Sequence, residues 1–255
     1  MPDKWNPEQY ERFQAERSRP FYDLVNLLNP QENLRVLDLG CGTGKLTKYL
    51  HEKLAAKETL GIDASEKMLS VASQFAGNGL RFEQGRIEDN PGEGKFDVVF
   101  SNAALQWVTE HETLFTKLRD KLQPSGQLAI QIPAMDDEPV HQLAVETAKE
   151  FSQELKGYVR RLEVLSPAAY AKLLYKLGFI KQQVNLQIYG HLLPSREAVV
   201  EWYRGTLLTA YETQLDTQTY ERFVARYQQK LFGILPDERP FFFPYKRILI
   251  WGLNP

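Results

Sequence analysis

The sequence predicts an α/β protein: a doubly wound, mostly parallel sheet of seven strands with helical cap insertions. Short apolar runs alternate with helix-period segments between residues 36 and 132. That is the rhythm of parallel strands joined by right-handed crossover helices. The first apolar run ends in a glycine-rich loop, VLDLGCGTG (36–44), and an acid, Asp63, closes the second. The segments at about 136–165 and 195–240 carry helical patterns with no place in the sheet.

Taken in order, a helix is expected at about 6–28, then a strand at Val36–Leu39. A helix at about 45–57 follows, with Leu46, Leu50 and Leu54 on one face. Strand 59–63 precedes Ser65, a serine suited to cap the helix that carries Met68, Ala72 and Phe75. Strands are expected at Leu80–Glu83 and Phe96–Ser101, and a helix at about 111–122, where Leu114, Leu118 and Leu122 recur every four residues. Pro124-Ser125-Gly126 turns the chain into strand Leu128–Ile132. Ser166 and Pro167 open a helix that Gly178 closes, and strand 180–189 follows. Tyr220, Phe223, Val224, Tyr227 and Leu231 keep a 3.6-residue period within the two or more helices of 195–233. Arg247–Trp251 is the last strand. The whole chain, 1–255, reads as one domain whose cap comes from about 1–28, 136–165 and 195–240.

Composition narrows the function. The net charge is −2 with both signs interspersed, unlike the basic footprint of a nucleic-acid binder. Apolar runs such as ILIWGL (248–253) are too short to cross a bilayer, and the first residues lack the apolar core of a signal peptide. One cysteine, Cys41, leaves no disulfide framework and no cysteine-rich metal site. The expectation is a cytoplasmic monomer acting on a small molecule, with no metal, nucleic-acid or membrane partner.

The loop itself selects a nucleoside. Glycine at alternate positions lets a backbone approach a ligand where a Cβ would clash. Asp63, at the end of the second strand, can accept from both hydroxyls of a ribose. A dinucleotide site wants G-x-G-x-x-G, but here the third glycine, Gly44, comes one residue early and Lys45 takes its place. No phosphate loop is present. Cys41 could be a nucleophile or a small buried filler, and nothing near it in the sequence would activate the thiol.

The D-x-G-x-G-x-G string, with its strand, its helix and Asp63, resembles the nucleoside-binding motif of class I S-adenosylmethionine-dependent methyltransferases. The resemblance implies a Rossmann-like fold and S-adenosyl-L-methionine as cofactor, with S-adenosyl-L-homocysteine as product. It also implies that Asp38, Gly40, Cys41, Gly42 and Gly44 neighbour the methionine part, that Asp63 holds the ribose, and that Ala64 and Met68 line the adenine. Gly85-Arg86-Ile87 stands at the third motif, where the family usually has an acid near position 86; Glu88 or a backbone oxygen could replace that contact.

WNPEQYERFQAERSRP (5–20), SNAALQW (101–107), HLLPSREAVVEW (191–202), the helix 217–231 and FPYKRILIW (243–251) closely resemble segments of the trans-aconitate 2-methyltransferase family. The resemblance covers essentially the whole chain. It implies methyl transfer to a carboxylate oxygen of a small polycarboxylic acid, giving an ester. A carboxylate is already ionised at pH 7, so no general base is expected. Of Arg17 and Arg19, one would hold the cofactor carboxylate and the other an acceptor carboxylate; the alternative is a solvated helix face. Asn102 and Trp107, after the fourth strand, would face the transferred methyl. His191, placed after the sixth strand, is either an acceptor contact or a histidine bonded into the cap. Tyr10, Trp202 and Tyr245 complete the acceptor candidates, and Arg247, at a strand start, is a pocket or surface residue. The chain departs from the family at Thr209, where an arginine is expected, and at Lys246, where proline is more usual. A carbon or nitrogen methyltransferase of another metabolite is the rival within the class, and a nicotinamide dehydrogenase or a nucleoside-sensing binder lies outside it.

Overall fold

The computed structural model describes residues 14–89, 92–158, 160 and 164–255. Its sheet holds seven strands: β1 (Arg35–Leu39), β2 (Glu58–Asp63), β3 (Leu80–Gln84), β4 (Phe96–Asn102), β5 (Leu122–Pro133), β6 (Lys181–Leu193) and β7 (Phe241–Leu253). Their order is β3-β2-β1-β4-β5-β7-β6, with β1 to β5 parallel and β7 antiparallel to β5. Val36, Val98, Val99, Phe100 and Leu128 to Ile130 are fully buried, as expected where helices cover both faces of a parallel sheet. The order reverses between β1 and β4, the point where doubly wound sheets bind ligands.

The helices are α1 (Gln14–Val25), α2 (Lys45–Lys53), α3 (Glu66–Ala72), α4 (His111–Asp120), α5 (Pro139–Glu150), α6 (Pro167–Lys176), α7 (Glu197–Arg204), α8 (Thr209–Glu212) and α9 (Thr217–Phe232). The predicted caps are in place. The Ser65 hydroxyl accepts from the Met68 N–H, the Ser166 hydroxyl accepts from the Ala169 N–H, and Gly178 takes a left-handed φ of 83° after α6.

Several boundaries differ from the sequence reading. Helix α2 stops at Lys53 because Leu54 caps it and Ala55 turns left-handed. Leu122 belongs to β5 rather than to the preceding helix and is paired with Phe96. Both β6 and β7 are longer than expected, at 13 residues each. His191 therefore lies inside β6, not after it, and Arg247 lies in mid-β7, buried at 3% exposure rather than at a surface strand start.

Two compact units emerge. Among the described residues the sheet unit comprises 14–89, 92–133, 164–187 and 247–255, and includes α1, where Phe21 meets Phe100 edge-on at 5.2 Å. Among the described residues the helical unit comprises 134–158, 160 and 188–246. Its core joins α5, α7, α8 and α9 through Val140, Ala144, Trp202, Tyr203, Tyr211, Phe223, Val224 and Tyr227. The five α9 positions predicted to share a face are all buried there. No helix among the described residues is long and apolar enough to cross a membrane.

Candidate functional site

The glycine loop is tied down from every side. The N–H groups of Gly40 and Cys41 both donate to the Ile62 carbonyl, at 2.8 and 3.0 Å. The Gly42 N–H donates to Asp63 Oδ2 at 2.8 Å, and the Gly44 N–H to the Cys41 carbonyl at 3.1 Å. Asp63 Oδ1 accepts from the Ser65 N–H at 2.9 Å, so one carboxylate joins the loop to the start of α3. Ser101 at the end of β4 donates to the Leu39 carbonyl at 2.7 Å. A pyrophosphate site keeps such N–H groups for ligand oxygens. Here four of them are spent within the protein.

The glycines have separate reasons. A Cβ on Gly44 would lie 2.7 Å from Ala72 Cβ and 2.8 Å from Phe82 Cζ, so this glycine is needed for close packing. A Cβ on Gly42 would meet nothing within 4 Å, and its φ is 55°. Of the three loop glycines, Gly42 is the one whose bare backbone faces open space, since a Cβ on Gly40 would collide with Ala104 Cβ.

The electrostatics favour a cation. Asp38 is buried, and Thr47 of α2 donates to its Oδ2 at 2.6 Å. Burial pushes its carboxyl up to about 7; the Thr47 bond opposes this and the nearby Asp63 charge adds to it. A cationic ligand would restore the charge that burial suppresses. Asp63 is half-buried and accepts from the Gly42 and Ser65 N–H groups through different oxygens, and a carboxylate of this kind can accept from both hydroxyls of a diol. Burial, then the charges of Asp38 and Asp63, drive the Cys41 thiol far above its usual range, so the cysteine is inert filler rather than a nucleophile.

The remaining candidates divide between the units. In the sheet unit, Ala64 is exposed, Met68 is buried beside Ala72 on α3, and the Gly85 N–H donates to the Asp63 carbonyl. Ile87 Cδ1 lies 3.9 Å from where a Gly40 Cβ would stand. Arg86 is exposed and pairs with Glu88 at 2.9 Å. Asn102 is half-buried at the end of β4, and its Oδ1 finds no protein partner among the described residues. Trp107 is half-buried in the turn Leu105–Trp107, and Arg19 is exposed on α1. Tyr10 and the side chain of Arg17 lie outside the described residues. In the helical unit His191, Trp202 and Tyr245 form one aromatic cluster. His191 lies 5.2 Å from Trp202 and 6.2 Å from Tyr245, and Trp202 lies 5.3 Å from Tyr245, ring to ring. All three are buried.

The departures have local explanations. Thr209 turns its hydroxyl to the Thr206 carbonyl within its own helical turn. Lys246 bridges Asp137 and Glu138, at 2.6 and 2.7 Å. Sequence reasoning passed over Thr47, whose signal was a lone hydroxyl in register with Leu50 on the buried face of α2. It also passed over Gln131, which is fully buried near the end of β5 and accepts from Arg247 at 3.2 Å.

A family model described as methyltransferase domain matches residues 30–187. The trans-aconitate 2-methyltransferase of Deinococcus radiodurans is 40% identical over 98% of this chain and 98% of its own length. That of Rhizobium meliloti is 36% identical over 91% of each. Among solved structures, the YcgJ protein of Bacillus subtilis has a TM-score of 0.60 at 18% identity, covering 92% of this chain and 98% of its own. A phosphoethanolamine N-methyltransferase 2 of Haemonchus contortus, in complex with S-adenosyl-L-methionine, has a TM-score of 0.53 at 18% identity, covering 97% of this chain and 59% of its own. At that identity the two structures speak for the fold alone.

Proposed function

Since this chain belongs to the methyltransferase-domain family, and within it to the trans-aconitate 2-methyltransferases, we infer that it transfers the methyl group of S-adenosylmethionine to one carboxylate oxygen of trans-aconitate. The observation that carries this reading is the 40% identity along the full chain, through the helical unit as well as the glycine loop. The loop supports it independently: its N–H groups are spent internally and two carboxylates border it, which suits a cationic cofactor and not a dinucleotide.

In this reading Asp38 and Gly40 take the cofactor's ammonium end, Asp63 its ribose, and Ala64, Met68 and Gly85-Arg86-Ile87 its adenine, with Asn102 and Arg17 at the methionine end. Arg19, Trp107, His191, Trp202, Tyr245 and Tyr10 serve the acceptor. S-adenosylmethionine supplies a methyl group bound to a cationic sulfur. The acceptor oxygen forms a bond to that carbon while the carbon–sulfur bond breaks and its electron pair stays on sulfur. The oxygen is ionised at neutral pH, so no side chain has to remove a proton. What remains for the protein is alignment and exclusion of water, which can lower a barrier by on the order of 7–11 kcal/mol. The nucleophile loses charge in the transition state, so cations should hold the other carboxylates rather than the attacking one.

Incubation with methyl-labelled S-adenosylmethionine and a panel of di- and tricarboxylic acids tests the reading. Base-labile label on trans-aconitate is expected. Label on none of the acids, or base-stable label on another metabolite, would overturn it.

A further inference from the structure

Strand β5 carries two buried glutamines on one face, four residues apart, and they are treated differently. Both polar atoms of the Gln127 side chain are engaged within the protein. Its Oε1 accepts from the Asn29 N–H at 2.7 Å and from Trp251 Nε1 at 3.0 Å, and its Nε2 donates to the Asn29 carbonyl at 2.9 Å. Gln131 is as deeply buried, yet only its Oε1 is used, accepting from Arg247 at 3.2 Å. Its Nε2 finds no protein partner among the described residues. An unmade hydrogen bond at a buried amide costs about 1–3 kcal/mol, so such a group is expected to meet something.

The position says what that could be. Gln131 is in register with Asn102 on β4, whose Oδ1 is likewise unpartnered, and Arg247 is in register with Pro133, the last residue of β5. All three side chains lie level with the C-terminal ends of β4 and β5, where open α/β sheets place their ligands. Arg247 is a cation at 3% exposure, and its guanidinium is oriented by the very amide whose other end is unused. A planar guanidinium beside an amide N–H is a donor set for a carboxylate.

We propose that Arg247, positioned by Gln131, forms a carboxylate-binding subsite for one of the acceptor's non-reacting carboxylates. This rests on the acceptor being a polycarboxylic acid. It places the cation where it can hold the substrate without clamping the attacking oxygen, and it assigns the specificity for polyacids over monoacids to the β5–β7 strand pair.

Gln131→Glu is the discriminating variant, because it replaces the unpartnered amide donor with a carboxylate that repels an external one. The KM for trans-aconitate should rise about ten-fold or more, the scale of a lost charge-assisted hydrogen bond, with kcat changed less than about three-fold and the melting shift on S-adenosylhomocysteine unchanged. Arg247→Lys, which keeps the charge but loses the planar fork, should raise KM to a smaller extent. An unchanged KM in Gln131→Glu would overturn the proposal. The melting shift that trans-aconitate produces in the presence of S-adenosylhomocysteine reads the subsite without turnover. If the wild type transfers no methyl group but shows that shift and Gln131→Glu loses it, the reaction assigned above fails and the subsite stands. If the wild type shows no shift, the subsite falls.

Discussion

Replacing Asp38 by asparagine should make the ligand-free protein more stable and unable to bind its cofactor. The carboxyl titrates near 3.8 in an unfolded chain and at about 7 in the fold, chiefly because it is buried. Below pH 3.8 both states hold the proton, and the residue has no effect on their balance. As pH rises, the unfolded chain gains from ionisation while the folded one does not. The destabilisation therefore grows up to about pH 7 and then levels off, at on the order of 4 kcal/mol. Asparagine has no charge to desolvate, and its Oδ1 can still accept from Thr47. The expected gain is about 2–4 kcal/mol at pH 8, or roughly 5–15 °C in melting temperature for a chain of this size, and less than half of that at pH 5. Differential scanning fluorimetry at the two pH values measures it. Adding S-adenosylhomocysteine should raise the melting temperature of the wild type and leave that of the variant unmoved. A variant that melts at or below the wild type at pH 8, or that keeps its cofactor shift, would refute the reasoning.

Other consequences are open to measurement. Cofactor affinity should weaken as pH falls below about 7, because an ammonium group selects the ionised form of Asp38; calorimetric titration across pH 5.5–8 would show a flat profile if Asp38 is not its partner. Gly44→Ala should destabilise by about 2–4 kcal/mol, since its Cβ collides with Ala72 and Phe82 at a φ of 74°, whereas Gly42→Ala should cost about 1 kcal/mol of backbone strain. Chemical denaturation separates the two, and equal losses would contradict the packing argument. Cys41 in the native protein should resist thiol reagents at pH 8 over minutes and react fully in denaturant, because burial raises its pKa. His191→Ala should raise the acceptor KM about ten-fold with kcat largely kept; complete loss of turnover at saturating acceptor would mean that the reaction needs a base after all.

The parallel strands, the caps at Ser65 and Ser166 and the amphipathic α9 could be read directly from local patterns, because each depends on residues within one or two turns. Leu122 was misread because its spacing from Leu118 and Leu114 continues a helical stripe. Only pairing with Phe96, 26 positions earlier in the chain, assigns it to β5. Gly190 in β6 and Pro244 in β7 interrupt the strand signal, which moved His191 and Arg247 to apparent strand ends. The loop's identity could be read from its glycine spacing, but not the use of its N–H groups, since the acceptors of three of the four, Ile62 and Asp63, are on β2. Gln131 is a polar residue within the expected strand Leu128–Ile132, with no local pattern to mark it. Its role depends on Arg247, 116 residues away.

The strand order also dictates a sequence of events during synthesis. Strands β1 to β5 leave the ribosome in an order that lets each find a neighbour already made. Strand β6 then emerges with no place beside β5, because β7 lies between them and comes some fifty residues later. Until β7 arrives, β6 is an unpaired edge and the residues between the two strands have neither of their anchors in place. The helical unit is made largely of those residues, so its completion is tied to the last strand to be paired. A nascent chain halted before residue 241 would hold a five-strand parallel sheet whose β5 edge, covered by β7 in the complete fold, is exposed in addition to the β3 edge, a state open to chaperones and to other copies of the chain.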